Sequence, residues 1–344
     1  MALHSKLKRF LTLAGGRVQN EQYQATADVK PKSGAPSARG GIGNMLMLKG
    51  MWIWNTAQLI VDDAQIDRFI SSASSINLSD VYLYVAPQWY DEKGPDIANF
   101  NTRMNASGLR VWALDGDVNY IDDPTAQETF MDGLQGLVDF NNRVDFDARF
   151  HGFQADIEPQ DIPGHEGYFH NDIPESQLTA EEHTQRDTHM QNWLDVLTRA
   201  STFLRSYELS FGAAMVFWLH DYDGEPVTVP SQSSNGSITQ PCIMDLIMPL
   251  VDEYVVMSYN TDPANAASRV SQQASFASAQ AQQGAKMVRV LGAVETEQGV
   301  GGTVSYGDAP GKDSRGAVLE DMGTIENMLQ QYPAFSASQT YAAV

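Results

Sequence analysis

Short apolar runs recur along the chain from about residue 50, and they alternate with longer segments whose apolar residues follow a helical spacing. The short runs are rich in β-branched and aromatic residues, which favour strands. Strands are expected at 51–54, 81–86, 110–114, 150–157, 209–217, 253–259, 287–294 and 337–343. Helices are expected at about 62–75, 95–107, 124–143, 180–206, 241–251, 263–284 and 318–331.

Three of the expected helices have clear start signals. The pairs Asp123-Pro124 and Asp262-Pro263 each place an acidic N-cap before a proline at the first helical position. Glu182 follows Thr179 by three residues, which is the spacing of a capping box. Helices are therefore predicted to begin at these three positions.

Strands that alternate with helices over residues 49–344 predict a single (β/α)8 TIM barrel. The other candidate, a doubly wound open sheet, usually has a glycine-rich phosphate loop after its first strand. Here the first strand leads into Asn55-Thr56-Ala57 instead. Three connections, after strands 4, 5 and 7, are longer than a bare connection requires: 158–179, 219–240 and 296–317. They would lie at the C-terminal face of the barrel, where barrel enzymes have their active sites.

The charge of the chain is unevenly distributed. The formal net charge is −21, yet residues 1–50 contain eight basic and only two acidic residues. We expect residues 1–48 to form a basic, irregular N-terminal arm that mediates self-association or docks onto a partner, and 49–344 to form the barrel. The apolar run 10–14 is shorter than the core of a secretory signal. Cytoplasmic location and export by a non-standard route therefore both stay open.

Composition excludes several functional classes. The strong negative charge argues against nucleic acid as a partner, and no apolar run is long enough for a membrane span. A single cysteine, Cys242, excludes an internal disulfide framework and a cysteine-rich zinc site. The seven histidines do not form a zinc motif, and P-loop and serine-elbow motifs are lacking. No metal and no cofactor is predicted.

The predicted fourth strand carries the most informative polar residues. Gln154, Asp156 and Glu158 share one of its faces because side chains alternate along a strand. Burial of such polar groups inside a barrel costs free energy unless they are hydrogen-bonded or have a function there. Two neighbouring carboxylates also repel, so one of them should have a raised pKa, as a general acid requires. The alternative is a buried polar network that closes the barrel top.

Two further strand ends offer ligand-binding groups. The sixth strand ends in Met257-Ser258-Tyr259-Asn260, where Tyr259 and Asn260 are candidates for substrate contacts. The third strand ends in Asp115-Gly116-Asp117, and its two aspartates are candidates for holding sugar hydroxyls, tuning Glu158 or binding a hard cation. A plain Asp-Gly turn is the alternative for these two residues.

Aromatic residues and one more acidic pair complete the candidate cleft. Glu295 and Glu297 share a face at the end of the seventh strand, which places Glu295 at the barrel opening. Aromatic rings give sugars an apolar face on which to stack, although packing beneath the loops also explains each ring singly. Those after predicted strands are Trp54, Trp89, Tyr90, Tyr120, Tyr168, Phe169, Trp218, Tyr222 and Tyr306.

The fourth and sixth strands together resemble the chitinase-like family, glycoside hydrolase family 18. The fourth strand of that family reads Asp-Gly-x-Asp-x-Asp-x-Glu, and its sixth reads Met-(Thr/Ala/Ser)-Tyr-Asp. In this chain Gly152, Asp156 and Glu158 match the first motif, whereas His151 and Gln154 replace its first two aspartates. The run 257–259 matches the second motif, and an asparagine replaces its last aspartate. The chain also resembles uncharacterised bacterial barrel proteins of this type.

This resemblance implies a retaining, substrate-assisted hydrolysis of an N-acetylated oligo- or polysaccharide. Glu158 would protonate the leaving oxygen, Asp156 would orient the N-acetyl group, and Tyr259 would bond the acetamido oxygen. Replacement of aspartate by Gln154 alters the surroundings of Asp156, and Asn260 changes the charge near the sugar ring.

Three alternatives remain open. A two-glutamate retaining glycosidase would use Glu158 as acid/base and Glu295 as nucleophile, with carboxyls about 5–5.5 Å apart, although Ile157 stands where that clan has asparagine. A second is a non-catalytic carbohydrate-binding protein, and a third is a structural or assembly protein. Carbohydrate is the expected partner in the enzymatic and binding readings.

Overall fold

The computed structural model describes residues 48–162, 177–221, 224–232 and 237–342. The predictions for the N-terminal arm fall outside these residues, apart from its last residue. Three of the predicted aromatic residues, in the connections after the fourth and fifth strands, also fall outside them: Tyr168, Phe169 and Tyr222. The histidines His165 and His170 fall outside them as well.

The described chain forms one parallel sheet and a small separate pair of strands. The sheet contains β1 (Leu48–Ile53), β2 (Leu78–Tyr84), β3 (Arg110–Asp115), β4 (Gly152–Ala155), β5 (Ser210–Val216), β8 (Glu253–Met257), β9 (Arg289–Val294) and β10 (Phe335–Ala342). The separate antiparallel pair is β6 (Ser231–Gln232) and β7 (Ile238–Thr239). The order β1-β10-β9-β8-β5-β4-β3-β2, with β1 also pairing with β2, closes the sheet into a barrel. The predicted α/β barrel class is confirmed.

Helices lie between the strands and pack on the outside of the sheet. Their bounds are α1 (Thr56–Leu59), α2 (Asp63–Ser75), α3 (Trp89–Glu92), α4 (Gly94–Ala106), α5 (Pro124–Arg143), α6 (Ala180–Ser206), α7 (Ile243–Ile247), α8 (Pro263–Gln282) and α9 (Arg315–Leu329). Phe130 of α5 meets Phe153 of β4 with ring centroids 5.7 Å apart, which is typical of this outer layer.

The helix starts follow from the capping residues. The side chain of Asp123 accepts hydrogen bonds from two backbone N–H groups of α5, and that of Asp262 does the same for α8. Thr179 and Glu182 form a capping box at α6. The predicted helix 241–251 is shorter than expected, because α7 gives way to a 3-10 turn at 248–250 that contains Pro249.

Contacts across the barrel show which strand faces point into it. The indole N–H of Trp52 in β1 donates to Oε1 of Gln154 in β4, and the Tyr82 hydroxyl donates to Oε2 of Glu253 in β8 at 2.6 Å. Gly212 pairs with both Gln154 and Glu253. Residues in step with these along their strands therefore face the barrel interior, and the intervening ones face the helices.

Charged residues fill the N-terminal end of the barrel. The buried Glu253 forms an ion pair with Arg289 at 2.5 Å, and Asp80 forms one with Arg110 at 2.8 Å. Burial raises the pKa of Glu253 to about 7, although Arg289 and the Tyr82 hydroxyl act in the opposite direction. Glu253, the first residue of β8, was not among the predicted functional residues.

None of the described helices is long and apolar enough to cross a membrane.

Candidate active site at the C-terminal end of the barrel

Asp156 follows β4 and is held in place by its backbone. Its N–H donates to the carbonyl oxygen of Asp115 at 3.0 Å, which extends the pairing of β3 with β4 by one residue. A Cβ on Gly116 would lie 1.8 Å from the carbonyl oxygen of Asp156, so only glycine allows these two backbone segments to approach this closely. Asp156 is in step with Gln154 and therefore lies on the inner face. We call the C-terminal end of the inner face the barrel mouth.

Glu158 lies two residues further on, where the chain leaves the strand. Its backbone is extended, and it directly precedes the 3-10 turn Pro159–Asp161. The Gln160 side-chain amide donates to Oε2 of Glu158 at 2.6 Å. The side chain is half-buried. It is thus within reach of solvent and restrained by a neighbouring amide.

Glu295 follows β9 and is the most buried acid at the barrel mouth. It is 6% exposed, and its Oε1 accepts hydrogen bonds of 2.6 Å from the N–H groups of Thr296 and Glu297. Burial raises the pKa of Glu295 to about 7. The two N–H groups act against this rise, and the charges of Glu297 and Asp156 add to it. A carboxyl with such a pKa exchanges protons near neutral pH.

The loop after β9 folds back onto Glu295 and anchors its backbone. The Tyr306 N–H donates to the Glu295 carbonyl oxygen at 2.9 Å, and the Tyr306 hydroxyl donates to Asp321 of α9 at 3.1 Å. Lys312 also donates to Asp321, at 2.8 Å. A Cβ on Gly307 would lie 2.4 Å from the carbonyl oxygen of Thr296, so the loop packs without a gap against the residues after Glu295.

Tyr259 follows β8 and is half-buried, in step with the inward-facing Met257. Arg269 of α8 donates to the Tyr259 carbonyl oxygen at 2.6 Å, and its guanidinium lies over the Phe217 ring at 3.9 Å. The neighbouring Asn260 accepts a hydrogen bond from the N–H of Asp262 through its side chain, at 2.8 Å. The Asn260 side chain therefore bonds the start of α8.

The two aspartates at the end of β3, Asp115 and Asp117, make local contacts. Asp115 pairs with Ala155, so it lies on the face opposite Gln154. Its Oδ2 accepts a hydrogen bond from the Tyr120 hydroxyl at 2.8 Å, and its Oδ1 accepts one from the N–H of Gly116 at 2.9 Å. Asp117 caps the 3-10 turn Val118–Tyr120. These contacts of Asp115 thus lie on the outer face of β3, and its role in substrate binding stays a prediction.

Three aromatic rings form a row beside the barrel mouth, on the side of β1 and β2. Trp54 and Tyr84 have ring centroids 5.4 Å apart, and Tyr84 meets the edge of Trp89 at 5.7 Å. Lys93 lies over the Trp89 ring. Tyr84 was not among the predicted site residues, although its alternation with Tyr82 at the end of β2 places it on the inner face. We call Trp54, Tyr84 and Trp89 the aromatic row.

The remaining predicted residues occupy different levels of the barrel. Gln154 is fully buried below the mouth, and Trp218 is 8% exposed in the turn after β5. Glu297 is half-buried in the loop that anchors Glu295. Within the described ranges, no group of three or more His, Cys, Asp or Glu side chains is arranged to hold a metal ion.

No family model and no curated protein matches the sequence. In structure the chain is similar to an exo-β-1,4-mannosidase from Opitutaceae bacterium strain TAV5, at 12% identity and a TM-score of 0.48, over 86% of this chain and 51% of that one. It is also similar to a chitinase from Chromobacterium violaceum ATCC 12472, at 9% identity and a TM-score of 0.47, over 86% and 93% of the two chains.

A third similar structure is the PgaB (BpsB) glycoside hydrolase domain from Bordetella bronchiseptica, at 11% identity and a TM-score of 0.47, over 86% and 93% of the two chains. The chain spans about half the length of the mannosidase that it matches.

Proposed function

We propose that the protein hydrolyses glycosidic bonds at the barrel mouth. The observation that carries the proposal is the position of Asp156 and Glu295 on the inner face at this end of the barrel, with the aromatic row at the same end. Carboxyl groups supply the acid and base that glycoside hydrolysis requires, and flat apolar rings bind the faces of sugars.

In the proposed mechanism Glu158 is the general acid and base. It is half-buried at the start of a turn, where a leaving oxygen can approach from solvent. Asp156 orients an N-acetyl group of the substrate, and Tyr259 donates a hydrogen bond to the acetamido oxygen. The backbone contacts of Asp156 with the end of β3 support this assignment, because they hold the residue in one position.

A second candidate mechanism uses Glu295 as a nucleophile with Glu158 as acid/base. The inward position of Glu295 at the barrel mouth favours it. A nucleophile must be ionised, however, and burial raises the pKa of Glu295 to about 7. This mechanism would therefore become faster as the pH rises through neutrality.

We also propose how the connections between strands and helices surround the site. The connections after strands 4, 5 and 7 of the (β/α)8 barrel would form the walls of the substrate cleft, which is the usual role of such loops. Residues 1–48 would form an arm separate from the barrel. If the chain has no hydrolase activity, the same cleft would bind carbohydrate without turnover.

A panel of N-acetylated and non-acetylated oligosaccharides tests the proposal, with wild type compared with Glu158→Gln. Glu128→Gln, which changes an exposed glutamate on α5, is the matched control. We expect cleavage of N-acetylated sugars by wild type and the control, and its loss in Glu158→Gln. Cleavage of non-acetylated sugars alone would favour the Glu158/Glu295 mechanism. Binding without cleavage by all three proteins would contradict the hydrolase proposal and favour a binding protein.

A further inference from the structure

The strands of the barrel are offset along its axis, and one contact shows the direction of the offset. Register aligns Gln154 with Leu114 and Leu114 with Tyr84 of β2. Gln154 nevertheless bonds Trp52, which aligns with Tyr82, two residues nearer the N-terminal end of β2. Going from β4 towards β1, residues at the same height along the barrel axis therefore lie progressively nearer the N-terminal ends of their strands than the register partners do.

In the other direction the same offset brings Asp156 and Glu295 to one level. Register links Ala155 of β4 to Val290 of β9 through β5 and β8. In an eight-stranded barrel of this kind the offset is about one residue per strand. Across three strands, the residue of β9 at the same height as Ala155 therefore lies about three residues after Val290. Asp156, one residue after Ala155, is then level with the residues next to Glu295.

The hydrogen bonds of Glu295 determine where it can carry a proton. Both backbone N–H donors, from Thr296 and Glu297, end on Oε1. An oxygen that accepts two hydrogen bonds is a poor site for a proton, so the proton of the neutral acid lies on Oε2. Oε2 is then the oxygen that can donate a hydrogen bond.

We propose that Asp156 and Glu295 act as one acidic pair that holds a single proton near neutral pH, with the proton on Oε2 of Glu295 and the negative charge on Asp156. Two carboxyls close together in a site of low polarity do not both ionise readily. The burial of Glu295 sets this order, because burial opposes its charge while Asp156 is more accessible to solvent. The two backbone N–H donors act against the order, but they leave Oε2 as the oxygen that takes the proton.

A catalytic role for the pair rests on the proposed function. A protonated Glu295 presents a hydrogen-bond donor to a substrate oxygen, and Asp156 presents an acceptor beside it. Such a Glu295 is not the nucleophile of the two-glutamate mechanism. Other charged or titratable side chains on the strand ends and connections at this end of the barrel are Asp115, Glu158, Tyr259, Glu297, Tyr306 and Lys312. Arg269 of α8 donates to the Tyr259 carbonyl oxygen.

Carboxyl-carbon NMR of the full chain, labelled at glutamate Cδ and aspartate Cγ, tests the pair without any assay of activity. The Glu295 resonance is assigned by its loss in Glu295→Gln. In wild type we expect a Glu295 midpoint near neutral pH and an inflection of the Asp156 resonance at the same pH. In Asp156→Asn the Glu295 midpoint should fall by about one pH unit.

The exposed Asp132→Asn on α5 is the matched control and should leave the Glu295 midpoint unchanged. A Glu295 midpoint in the ordinary range of glutamate, or an Asp156 resonance without the shared inflection, overturns the pair. The wild-type measurement decides the question even if Asp156→Asn does not fold. The pair stands or falls separately from the proposed function, because cleavage of sugars is measured in a different experiment.

Discussion

The negative charge of Asp156 adds to the rise that burial causes in the pKa of Glu295, although the two residues follow strands three places apart in the barrel. β4 and β9 are each followed by an inward-facing acid, and the strand offset brings these acids to about the same level. Polar groups from distant parts of the sequence thereby meet at the barrel mouth, which is where this fold places its chemistry.

The raised pKa of Glu295 predicts a specific dependence of stability on pH. In the folded state its pKa is about 7, whereas an unfolded glutamate ionises near 4.3. The folded state therefore binds more protons between these values, and the free energy of unfolding falls as the pH rises through this window. Removal of the titrating group should weaken the fall by on the order of 3 kcal/mol.

Urea denaturation of wild type and Glu295→Gln at pH 5 and pH 8 measures this difference. Glu128→Gln is the control and should retain the wild-type pH dependence. Glu253 has a similarly raised pKa, so part of the fall should persist in Glu295→Gln. An equal fall in wild type and Glu295→Gln would contradict the assignment.

Gly116 is predicted to be irreplaceable because of its distance from Asp156. The methyl group in Gly116→Ala would meet the Asp156 backbone, which cannot move without breaking the pairing of β3 with β4. We expect a loss of about 1–3 kcal/mol in the free energy of unfolding. If the hydrolase proposal holds, cleavage should also fall by about 100-fold, because Asp156 is displaced.

Gly323→Ala is the control for this substitution. Gly323 lies in α9, and an added methyl group there meets no atom within 4 Å. Alanine should stabilise that helix by up to about 1 kcal/mol. Equal stability of Gly116→Ala and wild type would show that β3 and β4 separate at this point at little cost.

The alternation of apolar and polar residues was sufficient to predict the barrel class and several of its helices. The capping signals at Asp123 and Thr179 are local, so the sequence contains all the information that determines where α5 and α6 begin. The inward position of Asp156 and Glu295 also follows from the alternation of side chains. These features depend on residues close together in the chain.

The remaining features depend on contacts between distant residues. The approximate common level of Asp156 and Glu295 depends on strand order and offset, which no local pattern specifies. The outer-face position of Asp115 depends on its pairing with Ala155 of β4, because parity within one strand does not show which of its faces points inward. The cluster of Glu253 and Arg289 joins two strand starts, and each residue alone is an ordinary charged position at the edge of a strand.

The hydroxyl of Tyr82 is predicted to stabilise the N-terminal end of the barrel. It donates to the buried carboxyl of Glu253 at 2.6 Å, and this hydrogen bond lowers the pKa of Glu253 against the effect of burial. Tyr82→Phe should reduce the free energy of unfolding by about 1.5–3 kcal/mol. The loss should be greater at pH 8 than at pH 5, because the ionised carboxylate depends more on the hydrogen bond.

Chemical denaturation at the two pH values measures this effect, with Tyr207→Phe as the control because Tyr207 is 46% exposed. The control should be within experimental error of wild type at both pH values. A loss in Tyr82→Phe that is the same at pH 5 and pH 8 would show that Glu253 keeps one protonation state across this range.

The contact between Tyr120 and Asp115 separates a structural role of this aspartate from a role in substrate binding. The Tyr120 hydroxyl donates to Oδ2 of the buried Asp115 at 2.8 Å, on the face of β3 that lies away from the barrel interior. Tyr120→Phe should therefore lower the free energy of unfolding by about 1–3 kcal/mol, while the affinity for any sugar that wild type binds stays unchanged. Denaturation and sugar-binding titrations on the same preparations measure both quantities. An unchanged stability together with a weakened sugar affinity would support a direct role of Asp115 in substrate binding.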